Sequence, residues 1–197
     1  YYNGTAWVAV TLNQEINASD ITSGYLRFRP DANENGSSYT TFGYQVSDGT
    51  VYSSATTMTV NVTAVNDAPV ATDDASSVTE DSNVRVRANG DDLLNDDSDT
   101  ENDSLSITLI KPLNGSNTSI SSGSSTTITG TYGELTVNSN GAYNYKANQD
   151  AADTLDTGEN AEEKFVYTVS DGNGGTDTGI LTITINGVED NPNAVKD

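Results

Sequence analysis

The chain has 197 residues, with 8 Lys or Arg against 29 Asp or Glu, a formal net charge of −21, and neither His nor Cys. Nothing in such a chain could neutralise phosphates, so nucleic-acid binding is excluded, and an anionic membrane surface is disfavoured. Without thiol or imidazole there is no disulfide, thiol nucleophile, zinc site or Ser-His-Asp triad.

The acids are 20 Asp and 9 Glu, and Asp, like Asn, suits turns, caps and oxygen-donor metal sites. Apolar runs are too short for a membrane span or a signal peptide, and a chain opening Tyr1-Tyr2 without Met reads as an internal piece of a longer protein. In chain order, Trp7, Val8 and Val10 suggest a first strand. Leu26 and Phe28 alternate with outward Arg27 and Arg29, and Phe42, Tyr44 and Val46 continue the period of two. Ser47-Asp48-Gly49 ends that run. Met58, Val60 and Val62 form the next strand, followed by Asn66-Asp67-Ala68-Pro69. An acidic loop, Asn95 to Asp103, comes later. Asn140-Gly141 between Leu135-Thr136-Val137 and Tyr143-Asn144-Tyr145 predicts a hairpin, because both turn residues tolerate positive φ. Phe165, Tyr167 and Val169, then Leu181, Ile183 and Ile185, form the last two strands. No window sustains a 3.6 period. Short strands with frequent turns predict an all-β fold of tandem antiparallel β-sandwiches.

The chain repeats itself. Phe42–Asp74 aligns without a gap on Phe165–Asp197, an offset of 123, with twelve of 33 positions identical. The identities include Ser-Asp-Gly at 47–49 and 170–172, and Asp-x-Pro at 67–69 and 190–192. A boundary is therefore expected near residues 66–69. Residues 1–67 would be the C-terminal part of one repeat, 68–190 a complete repeat, and 191–197 the start of the next. If the period holds, about 53 residues belong ahead of Tyr1, since 70 minus 123 is −53.

Gly133–Tyr145, Phe165–Asp177 and Leu181–Asp190 together closely resemble the VCBS-type cadherin-like repeat of the giant RTX adhesins of Gram-negative bacteria. Residues 20–69, with Phe28-x-Pro30-Asp-Ala-Asn-x-Asn35-Gly36 and Val65-Asn-Asp-Ala-Pro69, resemble a sister repeat. The resemblance implies an immunoglobulin-like or cadherin-like sandwich, calcium at the junctions, an extracellular place on the cell surface, and a role in attachment or biofilm formation. The chain departs from the pattern at its second linker, Glu189-Asp190-Asn191-Pro192, and in the absence of the first repeat's early strands.

Asp97, Asp99, Glu101 and Asp103 have the alternate spacing by which a wound loop converges on a hard cation, which takes about 6 to 8 oxygens; the alternative is a solvated acidic turn. An EF-hand is excluded, since Asn102 stands where Gly is needed and no helices flank the loop. Asp48 and Asp171 recur before the linkers and are read as ligands, with an ordinary Asx-turn as the alternative. Asp67 and Asp190 lie two residues before a Pro that holds the linker extended. Glu80 resembles the amino-terminal Glu that cadherin-like domains send to their lower calcium site; otherwise it caps a strand end. Two clusters are expected: Asp48, Asn66 and Asp67 with Asp97, Asp99, Glu101 and Asp103, and Glu80 with Asp171, Glu189 and Asp190. Asp177, after Gly174-Gly175, resembles an RTX nonapeptide but stands as a single copy and is set aside.

The function expected from this is mechanical and non-enzymatic: a calcium-stiffened extender whose partners are calcium and neighbouring repeats. A polysaccharide, host or biofilm surface is a further candidate partner, and membrane insertion is not expected. A binding module for carbohydrate or protein is the alternative, with Trp7, Tyr1 and Tyr2 as stacking candidates. A glycosidase would need paired acids in a cleft, and catalytic acids have no reason to recur at every junction.

Overall fold

The computed structural model describes residues 1–86 and 92–189. Strand accounts for 41% of it and helix for 3%, so the fold is all-β. The chain divides into two compact units, Tyr1–Val65 and Asn66–Asp197.

The first unit contains a short helix, α1 (Ala18–Thr22), and an antiparallel pair, β1 (Gly36–Tyr44) and β2 (Thr56–Val62). Phe42 faces Met58, and Tyr44 faces Thr56. None of its 65 residues is buried. Two expected strands are absent: Leu26 and Phe28 lie in irregular chain, and Trp7 makes one isolated bridge, to Tyr2. Alternation alone could not form them, because a strand needs a partner for its N–H and C=O groups. The helix was not expected either; five residues are too few for a 3.6 period to show.

The second unit is a sandwich. Its strands are β3 (Asp74–Thr79), β4 (Asn83–Val86), β5 (Ser106–Pro112), β6 (Thr118–Ser119), β7 (Ser125–Thr129), β8 (Glu134–Asn138), β9 (Tyr143–Lys146), β10 (Asn160–Ser170) and β11 (Thr176–Asn186). One sheet has the order β3-β11-β10-β5-β6, the other β4-β9-β8-β7. The hairpin β10–β11 runs in unbroken register from Asn160↔Asn186 to Ser170↔Thr176. Alternation sends Phe165, Tyr167 and Val169 inward with Leu181, Ile183 and Ile185, all fully buried against Leu135, Val137 and Tyr145 of the facing sheet. Each such side chain contributes about 1.5 to 3 kcal/mol. The β8–β9 turn forms as the Asn-Gly signal predicts, with Gly141 at φ +84. One pairing corrects the antiparallel expectation: β3 runs parallel to β11, from Leu181↔Asp74 to Asn186↔Thr79. The linker delivers β3 to the outer edge of β11 pointing the same way, and the chain then crosses to the other sheet at β4.

Candidate metal centre

The linker and the acidic loop bind each other through the backbone. Val70 N–H donates to Ser98 O at 2.8 Å, and Ser98 N–H returns a bond to Val70 O at 3.1 Å. Thr72 N–H donates to Asp97 Oδ1 at 2.8 Å, and Thr72 Oγ1 to Asp96 O at 3.2 Å. The loop then winds on one carboxylate: Asp99 Oδ1 accepts Glu101 N–H at 2.9 Å and Asp103 N–H at 3.0 Å. Asn102 sits between them at φ +61, a left-handed position that Asn adopts more readily than most residues.

This winding gathers the carboxylates. One oxygen each from Asp99, Glu101 and Asp103 lie within 4.8 Å of one another. Oxygens sharing one calcium at about 2.3 to 2.6 Å can be no more than about 5 Å apart, so the spacing fits a single ion. Asp97 Oδ2 and Asp99 Oδ2 are buried without a hydrogen-bond partner. Leaving a carboxylate oxygen so desolvated is costly unless a charge meets it. Burial first, then Asp96, Asp177 and Asp92, pushes the Asp97 carboxyl up to about 6 against the pull of Thr72 N–H. Among the described residues the ion pair found is Lys164 with Glu162, on β10. Asp97, Asp99, Asn102 and Asp103 line a cleft of about 420 Å³, with Leu94 and Leu105 as its apolar wall. The residues present therefore fit a hard, oxygen-seeking divalent cation.

Of the first expected cluster, Asp99, Glu101 and Asp103 come together, while Asp97 lines the same cleft with its Oδ1 held by Thr72 N–H. Asp67 joins through its backbone, its N–H donating to Glu101 Oε2 at 3.2 Å. Asp48 belongs to the first unit. There its Oδ1 accepts Thr50 N–H at 2.8 Å and Val51 N–H at 3.0 Å, the turn-capping alternative. Those N–H groups, Val51 first, hold its carboxyl below the usual range.

The second expected cluster divides. Asp171 lies in the β10–β11 turn and Glu80 just beyond β3, beside the far end of β11. An eleven-residue strand spans roughly 35 Å, so the two cannot share an ion. Asp171 joins the linker instead: its Oδ2 accepts Asn66 Nδ2 at 2.7 Å, and its Oδ1 accepts Asn173 N–H at 2.7 Å and Gly175 N–H at 3.0 Å. Asn66 above all holds its carboxyl low. The same turn reaches the metal loop, since Asn173 Nδ2 donates to Asp103 Oδ2 at 2.7 Å. At the other end Glu80 is 2% exposed; its Oε1 accepts Val188 N–H, and its Oε2 is buried without a partner. Glu189 is exposed, and Asp190 lies outside the described residues.

Asp177, set aside on sequence, holds the linker: its Oδ2 accepts Ala71 N–H at 2.9 Å. Comparing repeats hides this role, because the equivalent position is Ser54.

Residues 66–187, well over half of the chain, match the bacterial cadherin-like domain family. The chain belongs to that family. The cadherin-like match coincides with the unit that carries the acidic loop, the docked linker and both sheets. A curated relative, the calcium-binding lectin RapA2 of Rhizobium johnstonii, is 32% identical over 150 residues, 74% of this chain and 58% of that protein. The cadherin-like chain thus spans a little over half of the relative's length. A solved structure of a nucleoside hydrolase-related hypothetical protein from Saccharophagus degradans, associated with carbohydrate metabolism, is similar over 64% of this chain and 26% of its own. It shares 18% identity with a TM-score of 0.36, too little to carry an argument.

Proposed function

We propose that the second unit binds calcium at the linker end, and that the chain is a calcium-stabilised segment of a large bacterial cell-surface adhesin of the RTX type. In this reading it is a non-enzymatic extender for attachment or biofilm formation. Residues 1–67 are the C-terminal part of one repeat, 68–190 a complete VCBS-type repeat, and 191–197 the start of another. The carrying observation is the convergence of Asp99, Glu101 and Asp103, together with the buried, unpartnered Oδ2 of Asp99. The name of the relative, a calcium-binding protein, agrees with it.

The mechanism follows from the contacts. Glu101 already holds the Asp67 backbone, and Asp97 the Thr72 backbone. An ion on this loop would neutralise the carboxylates that grip the linker and fix its exit direction. Asn66 is proposed to complete the site, with Glu80 and Glu189 forming a half-site at the other end. If the ion binds at about 10⁻⁴ M and is a hundredfold more concentrated, it adds about 2.7 kcal/mol. EGTA is then expected to lower the melting temperature by about 10 °C, and D99N with D103N should remove that difference. An EGTA-insensitive melt would overturn the calcium reading.

The relative's description as a lectin favours a second reading, a carbohydrate-binding module on the same scaffold. Trp7 is 42% exposed, with the Arg27 guanidinium 3.7 Å over its ring and Tyr2 tilted against it. Glycan-array binding that disappears in Trp7→Ala would support this reading over a bare extender.

A further inference from the structure

In the second unit, β7 is the last strand of its sheet. Gly130 N–H donates to Gly133 O at 2.7 Å in the β7–β8 turn, and Ser139 N–H donates to Ser124 O at 3.0 Å beyond the other end of the pair. Hydrogen-bonded and non-bonded pairs alternate along an antiparallel ladder, so Thr126↔Val137 and Ile128↔Leu135 exchange the bonds between β7 and β8. Ser125, Thr127 and Thr129 therefore aim their N–H and C=O groups away from the sheet, and all three residues are exposed. The close side-chain approach of a non-bonded pair agrees: Thr127 Oγ1 and Thr136 Oγ1 lie 2.7 Å apart. The neighbouring β6 belongs to the facing sheet, where Ser119 O accepts Thr126 Oγ1 at 3.1 Å.

Open edges are ordinarily blunted by charge, Pro or a bulge. On the opposite side of the sandwich, β3 starts at Asp74 and is followed by Glu80 and Asp81, and β4 contains Arg85. In contrast, β7 has no charge, no Pro and an unbroken register. It lies within residues 112–133, the longest uncharged run in the chain. Two copies, each of net charge −21, repel over most of their surface, and here they can approach at the least electrostatic cost. The edge is also self-complementary. About a two-fold axis at Thr127, Thr127 meets its own copy and Ser125 meets Thr129, so every outward residue finds an outward partner. Cross-strand Thr–Thr and Thr–Ser pairs are themselves favourable.

We infer that the β7 edge is a homodimerisation surface, on which two copies of this chain pair β7 antiparallel about Thr127 and join two four-stranded sheets into one. This contact involves neither the acidic loop nor calcium. An edge of five residues buries less than the roughly 1,200 Å² typical of stable complexes, so the dimer is weak and depends on concentration.

Sedimentation equilibrium of residues 1–197 in EGTA, from about 10 μM to about 1 mM, is expected to show the mass rising from 20.7 kDa toward twice that value. Over the same range, hydrogen exchange at the Thr127 and Thr129 amides should slow severalfold. Thr127→Pro and Thr127→Lys should each weaken association by about tenfold or more. The monomer tolerates Pro there because the N–H it removes faces solvent, while Lys sets like charges opposite each other across the axis. An unchanged melting midpoint in Thr127→Lys shows that its fold is intact. A chain that stays monomeric throughout overturns the inference. So does a dimer that forms equally well in both variants or leaves exchange at these two amides unchanged, since its contact would lie on another face.

Discussion

Asp171 illustrates how one side chain links turn, linker and loop. Its Oδ2 takes a hydrogen bond from Asn66 Nδ2, and its turn supplies Asn173 to Asp103. A Cβ at Gly175 would collide with Asp171 Oδ2 and with the Ala68 backbone, so only glycine lets the linker lie this close. Hydrogen bonds to charged groups contribute about 1.5 to 3 kcal/mol. Asn66→Ala should therefore lower the denaturation midpoint of the second unit, and Gly175→Ala should lower it at least as much; unchanged midpoints would show that the linker is held elsewhere. Protonation offers a second prediction at this scale. Burial pushes Asp74, beside the Tyr167 hydroxyl, up to about 6, and Asp97 likewise. Such carboxyls bind protons in the folded state that the unfolded chain, titrating near 4, does not. Stability from them is therefore lost as pH rises through about 4 to 6 and gained as it falls. Asp171, held low chiefly by Asn66, and Asp177, held low chiefly by Ala71 N–H, act oppositely, and their contribution is lost only below about pH 4. In EGTA the melting temperature of the second unit should rise from pH 7.5 to 5 and fall below 4. In calcium, which competes with the proton, the rise should flatten. A monotonic fall from pH 7.5 to 4 in EGTA would contradict the assignment.

Among the elements, β10 puts both apolar and charged side chains on its inward face. Its inward Phe165, Tyr167 and Val169 make the core, while Glu163 is 7% exposed and accepts Tyr145 Oη at 2.7 Å together with the N–H groups of Thr131 and Tyr132. It thereby pins the β7–β8 turn to the opposite sheet. Glu163→Ala would leave a buried hydroxyl and two amides unpaired, at about 2 to 4 kcal/mol; Glu163→Gln, which keeps an acceptor, should cost less than half of that. Equal losses for the two variants would make packing, not hydrogen bonding, the cause. Sequence periodicity located β1, β2, β10, β11 and the β8–β9 turn, because half-buried strands must alternate. The parallel place of β3 was hidden, since nothing local in Asp74–Thr79 distinguishes a parallel neighbour from an antiparallel one. The acidic loop was legible for the converse reason: its carboxylates lie within seven residues of chain. Asp171 was assigned to the wrong end because position before a linker says nothing about which end of a hairpin the turn occupies. Asp177 was missed because its partner, Ala71 N–H, lies 106 residues away.

At the scale of the molecule the charge is unevenly shared. Residues 66–197 hold 24 acids against 6 Lys or Arg, a formal −18, while residues 1–65 hold 5 against 2, or −3. Like charges raise the free energy of a compact state, and the cost falls on the unit that holds the buried core. Salt should relieve it, since the screening length shrinks from about 30 Å at 0.01 M to about 3 Å at 1 M. In EGTA, melting of the second unit is therefore expected to rise steadily with NaCl across that range. Calcium held at Asp97, Asp99, Glu101 and Asp103 would place positive charge within the densest part of this field, where screening by mobile ions is least effective. With calcium bound the salt dependence should become shallower, because the carboxylates most strongly opposed are already compensated. Identical slopes with and without calcium would mean that any bound ion sits away from this loop. A slope that vanishes in EGTA would mean that self-repulsion does not limit the stability of the sandwich.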